Sequence, residues 1–250
     1  GPAATAKLVQ AGLWPTRIEH LFFTHHHFDH DVDYPCFLLT RWDQGAGKEP
    51  LLHVYGPPPT EWLTEHLIGE GGAFTHDWKA RVGWPASQSV FVNRGGTLPR
   101  PAPVWSARDI EPGAVVEGAG WRVTAARAQH AQPWLECLCY RVDSDEGSVV
   151  FTGDSSPCDS LRELAQGAGT LVSMCWDHQE TMEANGESLG QTGTAAAGEL
   201  AQACGVKRLV ATHSGPRLTR PGSRERGIRD IAARFAGEIV FAEELMVLEL

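Results

Sequence analysis

Residues 24–30 hold the densest group of potential metal ligands in the sequence. They read Thr-His-His-His-Phe-Asp-His and follow the apolar run Leu-Phe-Phe. If a β-strand ends here, the side chains of His25 and His27 leave it on the same side, because strand side chains alternate. Asp29 and His30 follow as the chain turns. Zinc and similar metals accept imidazole nitrogen and carboxylate oxygen, so the motif predicts a metal site.

Three later residues have the same local setting, at the end of a predicted strand: His130 after residues 121–128, Asp154 after residues 149–151, and His213 after residues 209–212. An α/β fold collects its active-site groups at strand ends. A histidine-rich tract can also be a solvated loop or an affinity tag, but a tag is a terminal homopolymer. Single His and Asp residues at strand ends are common, so only the combination predicts metal chemistry.

The elements that must position these residues alternate between helices and strands, with hairpins in the middle of the chain. The predicted strands are 18–23, 51–55, 114–117, 121–128, 138–142, 148–151, 171–174, 208–212 and 238–241, and the predicted helices are 4–13, 32–40, 61–68, 161–166, 194–204 and 224–235. Residues 69–108 are rich in Gly, Pro and Trp. They are predicted as long loops with short elements, either a lid or partner-contact insertion or simply surface packing. No repeat or linker divides the chain, which predicts a single domain over residues 1–250.

Composition narrows the class of protein. The sequence has 21 basic and 31 acidic residues, a formal net charge of −10, which argues against extended binding to nucleic acid. Its six cysteines form no Cys-x-x-Cys pair and are typical of reduced thiols in a cytosolic protein. No signal-like or membrane-length apolar stretch is present. We therefore expect a cytoplasmic protein with no membrane partner.

The ligand pattern His25-x-His27-x-Asp29-His30, followed by His130, Asp154 and His213, resembles the metallo-β-lactamase superfamily. The resemblance implies an α/β fold, an αββα sandwich that holds two divalent metal ions, with zinc as the expected element. By this likeness the first ion is held by His25, His27 and His130, the second by Asp29, His30 and His213, and Asp154 bridges the two. The likeness spans most of the chain.

Three further stretches are similar to the ribonuclease Z and arylsulfatase-like branch: residues 55–58, 152–155 and 205–213. The sequence also departs from that branch. It begins at a predicted helix without the usual N-terminal strands, so upstream residues or another chain are expected to complete the first sheet. Met174-Cys175-Trp176 stands where the branch has a His-Glu pair, Gln191–Thr194 stands where it has a histidine, and no basic arm for tRNA is evident.

The resemblance implies hydrolysis of a phosphodiester or similar small anionic ester by a metal-bridging hydroxide. Two divalent ions and two aspartates leave a net charge of +2, which attracts an anion and stabilises a negatively charged transition state. The alternatives are hydrolysis of lactones, sulfate esters or β-lactams, or a non-catalytic member that only binds metal. A homo-oligomer that covers the edge of strand 18–23 is also compatible with the sequence.

Four other side chains are candidates for the chemistry or for structural roles near it. Asp29 is a candidate catalytic residue as well as a ligand, and Trp176 is a candidate substrate-binding residue. His178 is the candidate acid for the leaving group, with a structural role as its alternative. His26 lies between two ligands and is expected to point away from the metal.

Overall fold

The computed structural model describes residues 1–250, which form two units, Gly1–Ile110 and Glu111–Leu250. Each unit has its own β-sheet and its own hydrophobic core. No helix in the structure combines the length and the apolar character needed to cross a membrane. The candidate metal ligands are divided between the two units, four in the first and three in the second.

The first unit is built on three parallel strands. Its elements are α1 (Ala4–Gln10), β1 (His20–Phe22), α2 (Phe28–Asp31), α3 (Tyr34–Gly45), β2 (Leu52–Gly56), α4 (Thr60–Ile68), α5 (Thr75–Gly83), α6 (Pro85–Asn93) and β3 (Trp105–Asp109). The strand order is β1-β2-β3, so β1 lies at an edge of this sheet. Completion of that edge by another segment or a second copy stays a prediction. Buried Phe23, Leu38, Leu52 and Val54 belong to the core of this unit.

Residues 69–108, predicted as long loops with short elements, contain more helix than expected. They contain α5, α6 and β3, and Trp78 and Phe91 are buried. Helix α5 ends at Gly83, and Pro85 occupies the first turn of α6. Proline is well tolerated there, because the first amide of a helix has no partner within the helix.

Ionic contacts attach these helices to α3. The Asp43 carboxylate of α3 accepts hydrogen bonds from Arg94 and Arg100, both at 2.8 Å, and lies 3.3 Å from Arg81. The Arg100 guanidinium also lies over the Trp42 ring, 4.1 Å from its centre. One carboxylate of α3 therefore joins α5 to the residues that follow α6.

The second unit contains a seven-stranded sheet in the order β10-β9-β8-β7-β6-β5-β4. Its elements are β4 (Val115–Gly118), β5 (Trp121–Arg127), β6 (Leu138–Ser144), β7 (Gly147–Phe151), α7 (Asp159–Ala165), β8 (Thr170–Met174), α8 (Gln179–Asn185), α9 (Thr194–Cys204), β9 (Arg208–Thr212), α10 (Ser223–Ala232) and β10 (Glu238–Phe241). Strands β4 to β7 are antiparallel neighbours, as the predicted hairpins require, and β7 to β10 are parallel.

Small and branched side chains form the core of the second unit. Ala197 and Ala201 are fully buried and lie four residues apart on α9, so they share one face of that helix. Leu171 of β8 and Leu209 of β9 are fully buried in the same cluster. An alanine face lets the helix lie close to the sheet, and the strands that it contacts, β8 and β9, end at the loops carrying Trp176 and His213.

Candidate metal centre

The ligand group of the first unit begins where the chain leaves β1. The Phe23 amide still donates to the Tyr55 carbonyl (2.8 Å), and α2 begins only after His27. The Nε2 atom of His25 and the Nδ1 atom of His27 lie 3.1 Å apart, and His25 is fully buried. Two ligands of one tetrahedral zinc ion are separated by roughly 3.3 Å when the Zn–N distance is about 2.0 Å. The two imidazoles therefore have the spacing that a shared ion requires.

Side-chain contacts around this motif set the orientation of its imidazole rings. The Thr24 hydroxyl lies 3.2 Å from Nδ1 of His25 and leaves its Nε2 for coordination. His26 points elsewhere, as predicted: its Nε2 lies 2.7 Å from the Thr60 hydroxyl, and its Nδ1 lies 3.2 Å from Asp31. His26 therefore links this turn to Thr60 and Asp31 and is directed away from the two predicted ligands.

Asp29 and His30 lie in the single turn of α2. The His30 ring is 4.2 Å from the His25 ring, and its Nε2 is 3.6 Å from Oδ2 of Asp29. The Asp29 carboxylate is 39% exposed, whereas His25 is fully buried. All four predicted donors of this unit therefore lie together, with one carboxylate accessible from outside.

The second unit brings its three predicted donors together from three separate loops. His130 follows β5, Asp154 follows β7 and His213 follows β9. The same oxygen of Asp154, Oδ2, lies 3.8 Å from Nε2 of His130 and 3.5 Å from Nε2 of His213. One carboxylate oxygen between two imidazole nitrogens has the arrangement expected of a ligand shared by two ions.

A backbone carbonyl sets the tautomer of His130. Its Nδ1 atom lies 2.7 Å from the Gly190 oxygen, and a carbonyl only accepts, so the imidazole donates from Nδ1. This leaves the lone pair of Nε2 for a metal, the usual arrangement around metal-binding histidines. Gly190 has a φ of +74°, and a Cβ there would lie 2.3 Å from the His130 carbonyl oxygen. The sequence did not reveal this contact of Gly190 with the predicted ligand His130, because an isolated glycine in a loop gives no signal for it.

The structure gives His178 a firmly held position. Its Nδ1 lies 2.9 Å from Oδ2 of Asp230, its Nε2 lies 3.0 Å from the Ser223 hydroxyl, and its side chain is buried. Both partners belong to α10, and His178 itself immediately precedes α8. With both ring nitrogens engaged, this geometry favours the structural alternative over proton transfer to a leaving group.

Trp176 lies beside the predicted ligand His213, with 6.0 Å between their ring centres. Its indole is partly exposed, so its role in substrate binding stays a prediction that this position supports.

Histidines outside the predicted ligand set have local partners. His20 stacks on His53 across the β1–β2 pair, with ring centres 5.2 Å apart. Burial, followed by repulsion from His53, lowers the pKa of His20.

The donor set suits a divalent metal of the zinc type. The two groups together contain five imidazoles and two carboxylates: His25, His27, His30, His130, His213, Asp29 and Asp154. Nitrogen and carboxylate donors of this kind favour zinc and its neighbours, whereas magnesium and calcium take oxygen alone. The residues present therefore fit the metal that the sequence resemblance implies.

Comparison with known proteins identifies the family and the fold. The family model described as a β-lactamase superfamily domain matches residues 3–214. A ribonuclease Z of Mycobacterium avium (strain 104) is 29% identical over 254 residues, covering 98% of this chain and 84% of the relative. The metallo-β-lactamase fold protein YhfI from Bacillus subtilis superposes on the whole chain with a TM-score of 0.68, 20% identity and 84% of its own chain covered. The short form of human tRNase Z superposes with a TM-score of 0.65, 19% identity, and coverage of 100% of this chain and 85% of its own.

These likenesses confirm the predicted α/β class and its metallo-β-lactamase type. The family match extends over most of the sequence and includes every predicted ligand from His25 to His213. A divalent metal is the cofactor that this fold implies, and the donor atoms suit it. The chain therefore belongs to the β-lactamase superfamily, as a metal-dependent hydrolase of the metallo-β-lactamase fold.

Proposed function

We propose that the chain hydrolyses a small anionic phosphodiester with two zinc-type ions. The single observation that carries this proposal is the position of Asp154, whose Oδ2 lies within 3.8 Å of one imidazole nitrogen and 3.5 Å of another. A carboxylate shared in this way is typical of two-metal hydrolases. The curated relatives are named ribonuclease Z, and a ribonuclease acts on phosphodiester bonds.

The proposed ligand sets follow the sequence resemblance: His25, His27 and His130 hold the first ion, Asp29, His30 and His213 hold the second, and Asp154 is common to both. This assignment requires both units to act as one hydrolase domain over residues 1–250. The family match supports it, because residues 3–214 include parts of both units, and the structural relatives superpose on the whole chain.

When bound, the divalent ions supply Lewis-acid activation of water and positive charge for an anionic substrate. The chain contributes two aspartates at −2 against +4 from the ions, so the centre keeps a net charge of about +2 and favours phosphate esters. Thr24 and the Gly190 carbonyl hold the imidazoles of His25 and His130 with Nε2 directed to the site. Asp29 has the more exposed carboxylate of the two aspartates, which supports its candidate role as the acceptor of the proton from the attacking water.

A small ester suits the charge of the chain better than a long nucleic acid. The formal net charge is −10, which opposes tracking along a polyanion, although the relatives are ribonucleases. A cytoplasmic location stays a prediction, supported by six cysteines that are all free of disulfides. A homo-oligomer formed through the β1 edge likewise stays a prediction.

The test begins with metal-depleted protein reconstituted with zinc. We expect about two ions per chain by elemental analysis, together with hydrolysis of bis(p-nitrophenyl) phosphate. His25→Gln should lose metal and activity. His66→Gln is the matched control, because His66 is an exposed histidine that stacks on Trp62 within α4, and it should retain both ions.

Each other result excludes part of the proposal. Protein that binds no transition metal after reconstitution would refute the metal centre. Two bound ions without turnover of phosphodiesters, aryl sulfates, lactones or β-lactams would identify a non-catalytic member. Turnover of lactones, sulfates or β-lactams alone would replace the phosphodiester with one of those substrate classes.

A further inference from the structure

A cavity of about 320 Å³ lies in the second unit beside the predicted ligand His213. Trp176 follows β8, Glu187 and Gln191 belong to the loop before α9, and Gly215 and Arg217 belong to the loop after β9; all five residues line the cavity. Its size is within the range of pockets that hold small molecules. The loops that follow β8 and β9, together with the loop before α9, therefore form a site next to the proposed reaction centre.

The indole of Trp176 is the aromatic wall of this cavity, and its backbone is fixed on both sides. The Trp176 amide donates to the Thr192 carbonyl (2.9 Å), and its own carbonyl accepts from the Gly215 amide (2.8 Å). A Cβ at position 215 would lie 3.2 Å from indole atoms Cδ2 and Cε2. Glycine at this position therefore lets the backbone pack against the indole, and any side chain there would push the ring out of its place.

The charges around the cavity do not favour binding of a phosphate group inside it. Arg217 donates to both Asp177 and Glu187, and these two hydrogen bonds raise the pKa of its guanidinium. Two carboxylates against one guanidinium leave a formal charge of −1 around the cavity. The one cation in the wall is thus already paired, and an additional anion would meet net negative charge. Gln191 adds an amide that can donate and accept hydrogen bonds.

We propose that this cavity binds a flat, uncharged ring of the substrate, carried by the phosphoryl group that is hydrolysed, with Trp176 as its stacking platform. The inference rests on the proposed phosphodiesterase activity and names the class of its substrate: an ester with an aryl or nucleobase group. Stacking on an aromatic side chain suits any such ring, because each has a π-face. Because Trp176 lies close to His213, a substrate ring stacked on the indole would lie next to a proposed ligand of the metal centre.

Equilibrium binding to zinc-loaded protein tests the proposal without requiring turnover. The ligands are methyl phosphate, phenyl phosphate, thymidine 5′-monophosphate and inorganic pyrophosphate, measured by calorimetry. We expect the two ring-bearing ligands to bind roughly tenfold more tightly than methyl phosphate, the size of one stacking interaction. Trp176→Ala should abolish that preference, and Trp176→Phe should retain most of it.

Trp62→Ala is the matched control, since Trp62 is an exposed tryptophan that stacks on His66 of its own helix α4. It should leave the ring preference unchanged. Gly215→Ala provides a second variant if Trp176→Ala does not fold: its methyl group would lie 2.9 Å from the Trp176 carbonyl oxygen and 3.2 Å from the indole, so it should displace the ring and reduce the ring preference. Gln191→Leu distinguishes the two ring sources: selective loss for thymidine 5′-monophosphate indicates a nucleobase, and no selective loss indicates an aryl group.

Three results would overturn the proposal. They are equal affinities for phenyl and methyl phosphate, a ring preference that survives in Trp176→Ala, and a loss of affinity in Trp176→Ala that is confined to pyrophosphate. These results are separate from failure of the proposed function. A protein that hydrolyses no phosphodiester but keeps the Trp176-dependent preference would retain the ring site and lose only the phosphodiesterase assignment.

Discussion

The two units assemble their candidate ligands in different ways. In the first unit four donors lie within the six residues from His25 to His30, at the end of one short strand and in one helical turn. In the second unit three donors come from loops after three different strands, separated along the chain by 24 and 59 residues, from His130 to Asp154 to His213. The first group depends on local backbone conformation, and the second depends on the register of a sheet.

The two groups of candidate ligands are also held in place by different contacts. The first group is held by neighbours in sequence and by Thr60, which fixes the intervening His26. The second group relies on distant backbone, because the Gly190 carbonyl that orients His130 is 60 residues away. We therefore expect the dispersed group to be the more sensitive to changes outside its ligands.

The largest effect should come from Asp154→Ala. Its Oδ2 lies near an imidazole nitrogen of both His130 and His213, and its removal leaves two divalent ions without their proposed shared ligand. We expect loss of metal and a fall in kcat of more than about 100-fold, since even outer partners of metal ligands cost 10–100-fold. Metal analysis and turnover of bis(p-nitrophenyl) phosphate measure both.

Asp145→Ala is the control, because Asp145 is an exposed carboxylate in the turn between β6 and β7. It should behave as the unmodified protein. Normal metal content and turnover in Asp154→Ala would remove Asp154 from the centre and end the proposed bridging role.

A smaller effect is expected from Gly190→Ala, which tests the distant support of His130. Its new methyl group would lie 2.3 Å from the His130 carbonyl oxygen. The loop must shift, so the hydrogen bond to His130 Nδ1 weakens, and we expect zinc affinity to fall by about 10–100-fold. Competition with a chelator measures that affinity.

Gly186→Ala separates this contact from backbone strain. Gly186 has a φ of +70°, close to the +74° of Gly190, but a Cβ there would meet nothing within 4 Å. Equal losses of zinc affinity in both variants would attribute the effect to the left-handed backbone alone, and the comparison between local and distant support would fail.

His178→Ala should change stability rather than chemistry. The substitution leaves Asp230 and Ser223 without their buried partner, so we expect a loss of about 1–3 kcal/mol in the free energy of unfolding. Zinc content should be unchanged, and esters with good and poor leaving groups should be slowed equally. Denaturant unfolding and a series of aryl esters provide the two readouts. Selective slowing of poor leaving groups would instead establish His178 as a general acid.

The smallest effect concerns pH and the first unit. The folded pKa of His20 is lowered, so the unfolded chain binds more protons as pH falls below the ordinary histidine value of about 6.5. Stability should therefore decrease as pH drops through about 6.5 toward the folded pKa. His20→Phe keeps the stack on His53 without titrating, and it should flatten part of this slope in denaturant unfolding between about pH 7 and pH 5. An unchanged slope would remove His20 as a contributor.

The same contrast explains how much could be predicted from the sequence. The first group was visible because strand periodicity and residue spacing are local properties, so the positions of His25, His27 and His26 followed directly. Strand ends suggested His130, Asp154 and His213, but no sequence pattern states that β5, β7 and β9 bring them together. That step came from family resemblance, and the sheet order supplies its physical basis.

Other features of the fold could not be predicted from the sequence. Helix α8 has one fully buried apolar residue, Met182, in seven, which is too few to show a helical period. The boundary between α5 and α6 at Trp84 and Pro85 could not be predicted, because a proline in the first turn of a helix cannot be distinguished by sequence from one that ends a helix. The partners of His178 lie 45 and 52 residues away, so its confinement depends entirely on tertiary structure.

The arginines around Asp43 make the attachment of the α5–α6 region depend on ionic strength. Arg81 and Arg94 are 45% and 38% exposed, so at about 1 M salt, where the screening length is near 3 Å, their attraction to Asp43 is largely lost. Arg100 is only 2% exposed and lies over Trp42, so its link persists. Concentrated salt should therefore open this region from the α5 side while the Arg100 side stays closed, and a protease should cut first near Arg81.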